Sequence, residues 1–383
     1  LINLPSWLFL SSFEKIRKSY IDNFTFDSLL HMGRGIFGID FGSVAFAIKK
    51  TKSKNAIGSY FRLHERNFQH ILYKDIEKLF LYSNGKTKYK YDFNQYRGDE
   101  GITEIPENGT DEGKKLFYPN ITQTNFSKLP GNPIAYFLTD KVVNIFEHEK
   151  ELAKFGHVKV GLQTGDNGKF RRNWTEVSIM KTSLKSSAGK WFPYNSGGDF
   201  RKWYGNQIYV VNWQNNGYEI KNFTNESGKL RSRPQNINYY LKPSISWSKI
   251  AAGGLGVRLF PNGFIFDVAG CSIFEKQEGY NIYLLALLNS NLKKVLIESI
   301  APTLNYEVGQ ISNVPVKYKK DESLQSYVND CISIAKTDWD SRESSWDFEQ
   351  SSLLNETNAL EQAVQTWQEQ VTQDFFQLHA NEE

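Results

Sequence analysis

Charge along this chain is sorted into two opposed blocks, and that sorting limits what the chain can fold into. Between Lys154 and Arg258 there are 17 Lys and Arg against 5 Asp and Glu, a balance of +12. From Asp321 to Glu383 there are 14 acids against 2 bases, a balance of −12. The whole chain nets only +4. Like charges crowded into one region repel, so each block is a cost unless something of opposite sign offsets it. The basic block also holds five tryptophans, Trp174, Trp191, Trp203, Trp213 and Trp247. Basic residues interleaved with aromatics suit a phosphate backbone with unstacked bases beside it. The plainer alternative is a solvated surface over an aromatic core.

At 383 residues, 40% of them hydrophobic, the chain can bury the cores of two or three domains. Cys271 and Cys331 lie 60 positions apart with no C-x-x-C. That argues against a disulfide framework or a zinc site and fits a reducing, cytoplasmic setting. His64 and His70 lack zinc-ligand spacing and read as ordinary core or surface residues. No apolar run reaches the roughly 18 residues of a membrane span, and "LINLPSWLFL" has neither the basic start nor the cleavage site of a signal peptide. The chain does not open on Met and closes within a helical pattern, so the expectation is a stretch of a longer protein.

Periodicity supplies the elements. A helix is expected over 6–22, strands over 24–32 and 43–50, and helices over 67–82 and 139–154. Residues 83–115 read as a polar loop. Asn262-Gly263 between β-prone runs predicts a hairpin within 252–270. "YLLALLNSNLKKVLIESI" predicts one helix. Leu360, Val364, Trp367, Val371, Phe375 and Leu378 form a single stripe on an acidic C-terminal helix, expected to be a packing face.

Several motif matches fail on context. "GRGIFG" at 33–38 fits G-x-G-x-x-G, but a strand follows where a dinucleotide site needs a helix N-terminus. "DFG" at 40–42 and "VAFAIK" stand in the wrong order for a kinase, with no H-R-D loop. No G-K-[ST], G-x-S-x-G or H-E-x-x-H occurs. The stretch "VGLQTGDNGKFRRNW" (160–174) sets a tight polar turn beside two arginines and an indole. That combination points to phosphate.

Longer strings carry a resemblance. "VGLQTGDNGKFRRNW", "KWFPYNSGGDFRKWYGN" (190–206), "GKLRSRPQNINYYL" (228–241), "ISWSKIAAGG" (245–254), "FPNGFIFDVAGCSIF" (260–274) and "LLALLNSNLKKVLIESIAPTLNYEVGQISNVPV" (284–316) resemble the target-recognition region of one family. It is the PglX family, the large adenine-specific DNA methyltransferases of BREX phage-defence systems. "WDSRESSWDF" (339–348) continues the likeness, and "LPSWLFLSSFEKIRKSYIDNFTFDSLLHMGRGIFG" resembles the segment just past the catalytic motif in that family. Family members carry N-P-P-Y to hold a flipped adenine, and a glycine-rich S-adenosylmethionine loop. Neither is present here; "GNPIAYF" (131–137) lacks the second proline.

The resemblance implies a mixed α/β or α+β chain in four parts. Residues 1–82 would be the C-terminal edge of a methyltransferase domain, with trailing strands of its sheet and no catalytic motif. Residues 83–153 would connect it to a DNA target-recognition domain at 154–320, and an acidic helical segment at 321–383 would complete the chain. No catalytic, cofactor or metal residue is implied in the chain, and it is expected to be inactive alone. S-adenosylmethionine would belong to the full-length parent. Duplex DNA is the implied partner, since a methyltransferase must grip the duplex and extrude its target base. Thr164, Asp166 and Asn167 would sit on an exposed turn, with Asn167 suited to adenine and Arg171 or Arg172 to guanine. Lys169, Lys190, Arg201, Lys202 and Lys249 would add positive charge, the last three at phosphates. Trp174, Trp191 and Trp203 could stack on bases. The +12 block could also accept an acidic DNA-mimicking phage inhibitor. As an alternative, the acidic helix could dock the chain into a multi-protein defence complex. No membrane is implied.

Overall fold

Alternating apolar residues at the front of the chain build its first sheet. The computed structural model describes residues 1–38, 41–51, 56–64, 70, 117–186, 189–251, 253–300, 305–354 and 359–383. The expected helix at 67–82 and loop at 83–115 lie essentially outside them. The chain divides into two compact units, Leu1–His148 and Glu149–Glu383.

In the first unit, β1 (Ile2–Asn3), β2 (Thr25–Arg34), β3 (Gly42–Lys49), β4 (Ile57–Arg62) and β5 (Phe117–Thr122) form one sheet in the order β1-β3-β2-β4-β5. β2 runs antiparallel to β3 and parallel to β4. Its inward set begins with Phe26 and resumes at Leu29, His31 and Gly33. The switch from even to odd positions comes from a register shift between Phe26 and Ser28, since one extra residue reverses every later side chain. The expected helix at 6–22 is one only in its second half, α1 (Glu14–Asn23); short 3-10 turns at Pro5–Leu8 and Ser11–Phe13 precede it. Arg17 of α1 is 1% exposed and donates to the carbonyls of Trp7 (2.8 Å), Leu10 (2.7 Å), Gly131 and Asn132 (3.1 Å). It ties the entry turns to the 131–137 segment. That segment is core: Tyr136 is 1% exposed and stacks on Tyr60, with ring centroids 5.2 Å apart. α2 (Asp140–His148) ends the unit, shorter than its periodicity predicts.

The second unit contains β6 (Lys150–Glu151), β7 (Gly156–Lys159), α3 (Asn167–Phe170), β8 (Arg171–Asn173), β9 (Trp191–Asn195), β10 (Tyr209–Asn212), β11 (Ser244–Ser248), β12 (Val257–Phe260), β13 (Ile265–Phe266), β14 (Gly270–Glu275) and β15 (Pro315–Val316). Two four-stranded sheets result, β12-β11-β14-β7 and β13-β9-β10-β8, with β15-β6 a small pair. Phe266 and Ile265 of one sheet and Phe274 of the other join Leu162, Tyr194, Val211, Trp213 and Tyr240 in a common core. The expected hairpin does not form. Gly263 does turn the chain at φ +98°, but β12 pairs with β11 whereas β13 pairs with β9 in the other sheet. The turn is a crossing point between sheets.

The predicted helix at 283–300 is broken into α4 (Tyr280–Asn289) and α5 (Leu292–Ile300). Asn289 is buried and bonds the Val257 N–H (3.0 Å) and carbonyl (2.8 Å), a claim on its position that ends α4 there. α6 (Glu322–Asp340) packs on α4, and α7 (Leu360–Glu382) packs on α6. α7 forms as its periodicity predicts, yet the described residues leave most of its stripe uncovered, with Val364 and Leu378 half-buried. Leu360 (71%), Trp367 (42%), Val371 (44%) and Phe375 (61%) are exposed, and Ala363 is the residue of α7 that is buried. Helix period fixes which residues share a face, not whether anything covers that face. Among the described residues no helix is long and apolar enough to cross a membrane. The described architecture is thus mixed α+β, as expected.

Candidate nucleic-acid interface

The 160–174 stretch is shaped by two glycines. A Cβ at Gly161 would fall 1.9 Å from the Phe266 carbonyl oxygen. Gly165 turns the chain at φ +80°, and a Cβ there would lie 2.7 Å from the Arg231 carbonyl carbon. Only glycine fits either place. Side chains then close the turn. Thr164 Oγ1 donates to Asn167 Oδ1 at 2.7 Å, and Asp166 Oδ1 accepts from the Lys169 N–H at 3.0 Å, capping α3. Thr164 is 4% exposed, so the expectation of an exposed turn holds at Asn167 but not at Thr164.

β8 comes immediately after α3 and lies at the edge of its sheet. Neighbouring residues of a strand point to opposite faces, so the pleat divides the two arginines. The Arg171 guanidinium lies 4.2 Å from the Tyr209 ring centroid, and its Nη1 donates to Ser196 Oγ at 2.9 Å. Ser196 Oγ in turn donates to Asp267 Oδ2 at 2.6 Å. Asp267 is 4% exposed and also accepts from the N–H groups of Ala269 (2.5 Å) and Gly270 (2.8 Å). Burial raises its pKa above the usual carboxylate value, against the pull of those donors and of the Arg171 charge. Arg172 turns back instead, donating to the carbonyls of Gly168 (2.5 Å) and Arg171 (2.7 Å), with Trp191 at 5.9 Å.

Together Asn167, Gly168, Arg171, Arg172, Asn173, Glu176 and Tyr209 line an open cleft of about 460 Å³. The exposed Lys169 amine sits over the Phe223 ring at 4.7 Å, and the Lys190 amine over Trp191 at 5.7 Å. Neither lysine forms an ion pair among the described residues. A larger cleft of about 760 Å³ near α6 is lined by Asp340, Asp347 and Glu349, the wrong sign for phosphate.

The other proposed contacts are occupied. Arg201 pairs with Asp338 of α6 at 2.7 Å. Lys202 pairs with Glu382 of α7, and the same carboxylate accepts from Trp203 Nε1 at 2.8 Å. Trp203 is 3% exposed. Lys249 pairs with Glu307 at 3.1 Å. Trp174 is half-buried and donates to the Ser344 carbonyl at 2.9 Å. The proposed set therefore separates into a cationic cleft around 167–173 and a group whose charges meet acids inside the fold. Tyr209, Ser196 and Asp267 were missed by sequence reasoning. An acid inside the apolar run "FIFDVAG" was the available signal for Asp267. Cys271 is buried, and among the described residues no cluster of His, Cys, Asp or Glu could hold a metal.

No protein-family model matches the chain. Two curated relatives do. Adenine-specific methyltransferase PglX of Lacticaseibacillus casei (strain Zhang) is 32% identical over 403 aligned positions, covering 100% of this chain and 31% of the relative. Adenine-specific methyltransferase BrxX of Escherichia coli O9:H4 (strain HS) is 31% identical over 362, covering 92% of this chain and 26% of the relative. Among solved structures, the type IIL restriction-modification enzyme MmeI in complex with DNA aligns over the whole chain and 46% of its own, at 9% identity and a TM-score of 0.48. The type IIG restriction endonuclease BpuSI aligns over the same shares at a TM-score of 0.34. At those scores neither supports an assignment of fold or function. The sequence relatives do: this chain belongs with the adenine-specific methyltransferases PglX and BrxX, spanning about a third of the length of the first and a quarter of the second.

Proposed function

We propose that Glu149–Glu383 is the DNA-reading part of an adenine-specific DNA methyltransferase of a BREX phage-defence system. It grips the duplex and sets register while the rest of the protein supplies catalysis. The observation that carries this is the cleft at 167–173, where Arg171 lies on Tyr209 and Arg172 approaches Trp191, the ring that Lys190 also lies over, while Lys169 follows the lining residue Gly168 in the chain. Cations seated on aromatics beside a polar cleft suit a phosphate backbone and base edges. The kinship with adenine-specific methyltransferases supports it.

The residues present do not fit S-adenosylmethionine. The glycines at 33, 35 and 38 take positive φ, but the next described element is β3, a strand, with no helix N-terminus aimed at a ligand. In "GNPIAYF" the residues Pro133, Ile134, Ala135 and Tyr136 are buried in the first unit's core. On this reading methyl transfer is the work of the part of the protein outside this stretch.

The test is salt-dependent binding of the purified chain to a fluorescent duplex. Each phosphate neutralised steepens log K against log salt by about 0.9, so a slope of several is expected. A flat response between low and physiological salt would remove the proposal. A second reading rests on the exposed stripe of α7, which would dock the chain onto another protein of the defence complex. Binding of such a partner would be insensitive to salt and lost on changing Trp367.

A further inference from the structure

We propose that Arg171 is the base-reading residue of the cleft, directed at a guanine edge, and that Asp267 holds it in place through Ser196. The proposal rests on the DNA-reading role above and names how that site discriminates. A hydroxyl has one proton to give. Ser196 Oγ gives its proton to Asp267 Oδ2 at 2.6 Å, so toward Arg171 Nη1 at 2.9 Å it can only accept. The chain Arg171–Ser196–Asp267 therefore runs in one direction. Asp267 cannot swing away, because the Ala269 and Gly270 N–H groups hold its other oxygen. Tyr209 supports the guanidinium plane from one side at 4.2 Å.

A fixed, planar guanidinium is what a bidentate contact to guanine O6 and N7 requires. Only one of its five N–H groups is spent among the described residues. Arg172 is unlike it: both of its bonds go to backbone carbonyls at the end of α3. Charged residues on an edge strand also deter unwanted strand pairing. That use needs no buried carboxylate behind the arginine. A phosphate oxygen offers Arg171 the same acceptor chemistry as guanine, so the experiment separates the two.

The full chain is incubated with a pool of duplexes carrying a randomised segment, and bound duplexes are sequenced. Arg171→Ala is expected to lose the preference for guanine at one position by roughly tenfold or more, with the salt slope unchanged. Arg171→Lys should fail to restore it, a point charge being no substitute for a fork. Ser196→Ala should weaken the preference at that same position, and Ser196→Thr should restore it. A merely structural serine would instead change all positions alike. If Arg171→Ala weakens every duplex equally and lowers the slope by about one, Arg171 is a phosphate contact and the inference is wrong. If the profile is untouched, Arg171 reads nothing. If the unaltered chain binds duplexes without any sequence preference, base reading here is overturned while DNA grip stands. If it binds none, both readings fall.

Discussion

Lys293 shows how one buried amine sets a pH dependence. Its Nζ donates to the Leu255 carbonyl at 2.5 Å. Burial, together with the nearby Lys202 charge, pushes its pKa down to about 7, against the pull of Glu382. An unfolded lysine keeps its ordinary value, so from about pH 7 upward the unfolded chain holds a proton that the folded chain has released. Stability must then rise with pH across that window, and the penalty is present in full below it. A fall from 10.5 to about 7 makes the effect on the order of a few kcal/mol. Urea midpoints at pH 6.5 and 9.5 should differ, and Lys293→Met should remove the difference by raising the lower midpoint. At this scale the sequence is legible where a rule is local. Asp166 and Gly165 are readable because capping and turn geometry depend on near neighbours, whereas Gly161 is required by the distant Phe266 carbonyl. The partners of Lys202 and Trp203 are not, because Glu382 lies far along the chain.

Elements are legible where periodicity and context agree. β2 and β3 form close to their expected limits because an apolar run bounded by glycines admits little else. The Asn262-Gly263 signal is right about a turn and silent about pairing; which sheet receives each flanking strand is a tertiary decision. The helix expected at 283–300 breaks for a similar reason, its Asn289 being claimed by β12. α7 gives a direct experiment. Its periodicity predicts a packing face, yet Trp367 and Phe375 are 42% and 61% exposed. Replacing both with serine should change the stability by less than about 0.5 kcal/mol, as for other surface substitutions. A loss of several kcal/mol in a denaturant titration would mean that the stripe is covered in solution.

In the second unit as a whole, where a charge sits matters more than the block's total. The +12 region looks uniform in the sequence, but the fold divides it. Acids from α6 and α7, Asp338 and Glu382, neutralise Arg201 and Lys202, while Lys169 and Lys190 have no such partner among the described residues. Two double variants with the same change in net charge should therefore behave oppositely. Lys169→Ala with Lys190→Ala should cut the salt slope of DNA binding by about two, one per lost phosphate contact, with little effect on melting. Arg201→Ala with Lys202→Ala should leave the slope alone and lower the melting temperature. The reason is that Glu382, with side-chain exposure of 14%, and the Trp203 indole N–H it accepts from would lose their cationic neighbour. Binding measured against salt, beside thermal melts of the same preparations, decides the matter. Equal loss of slope in both pairs would show that DNA senses the total charge, and that the acidic helices yield their cations to the duplex.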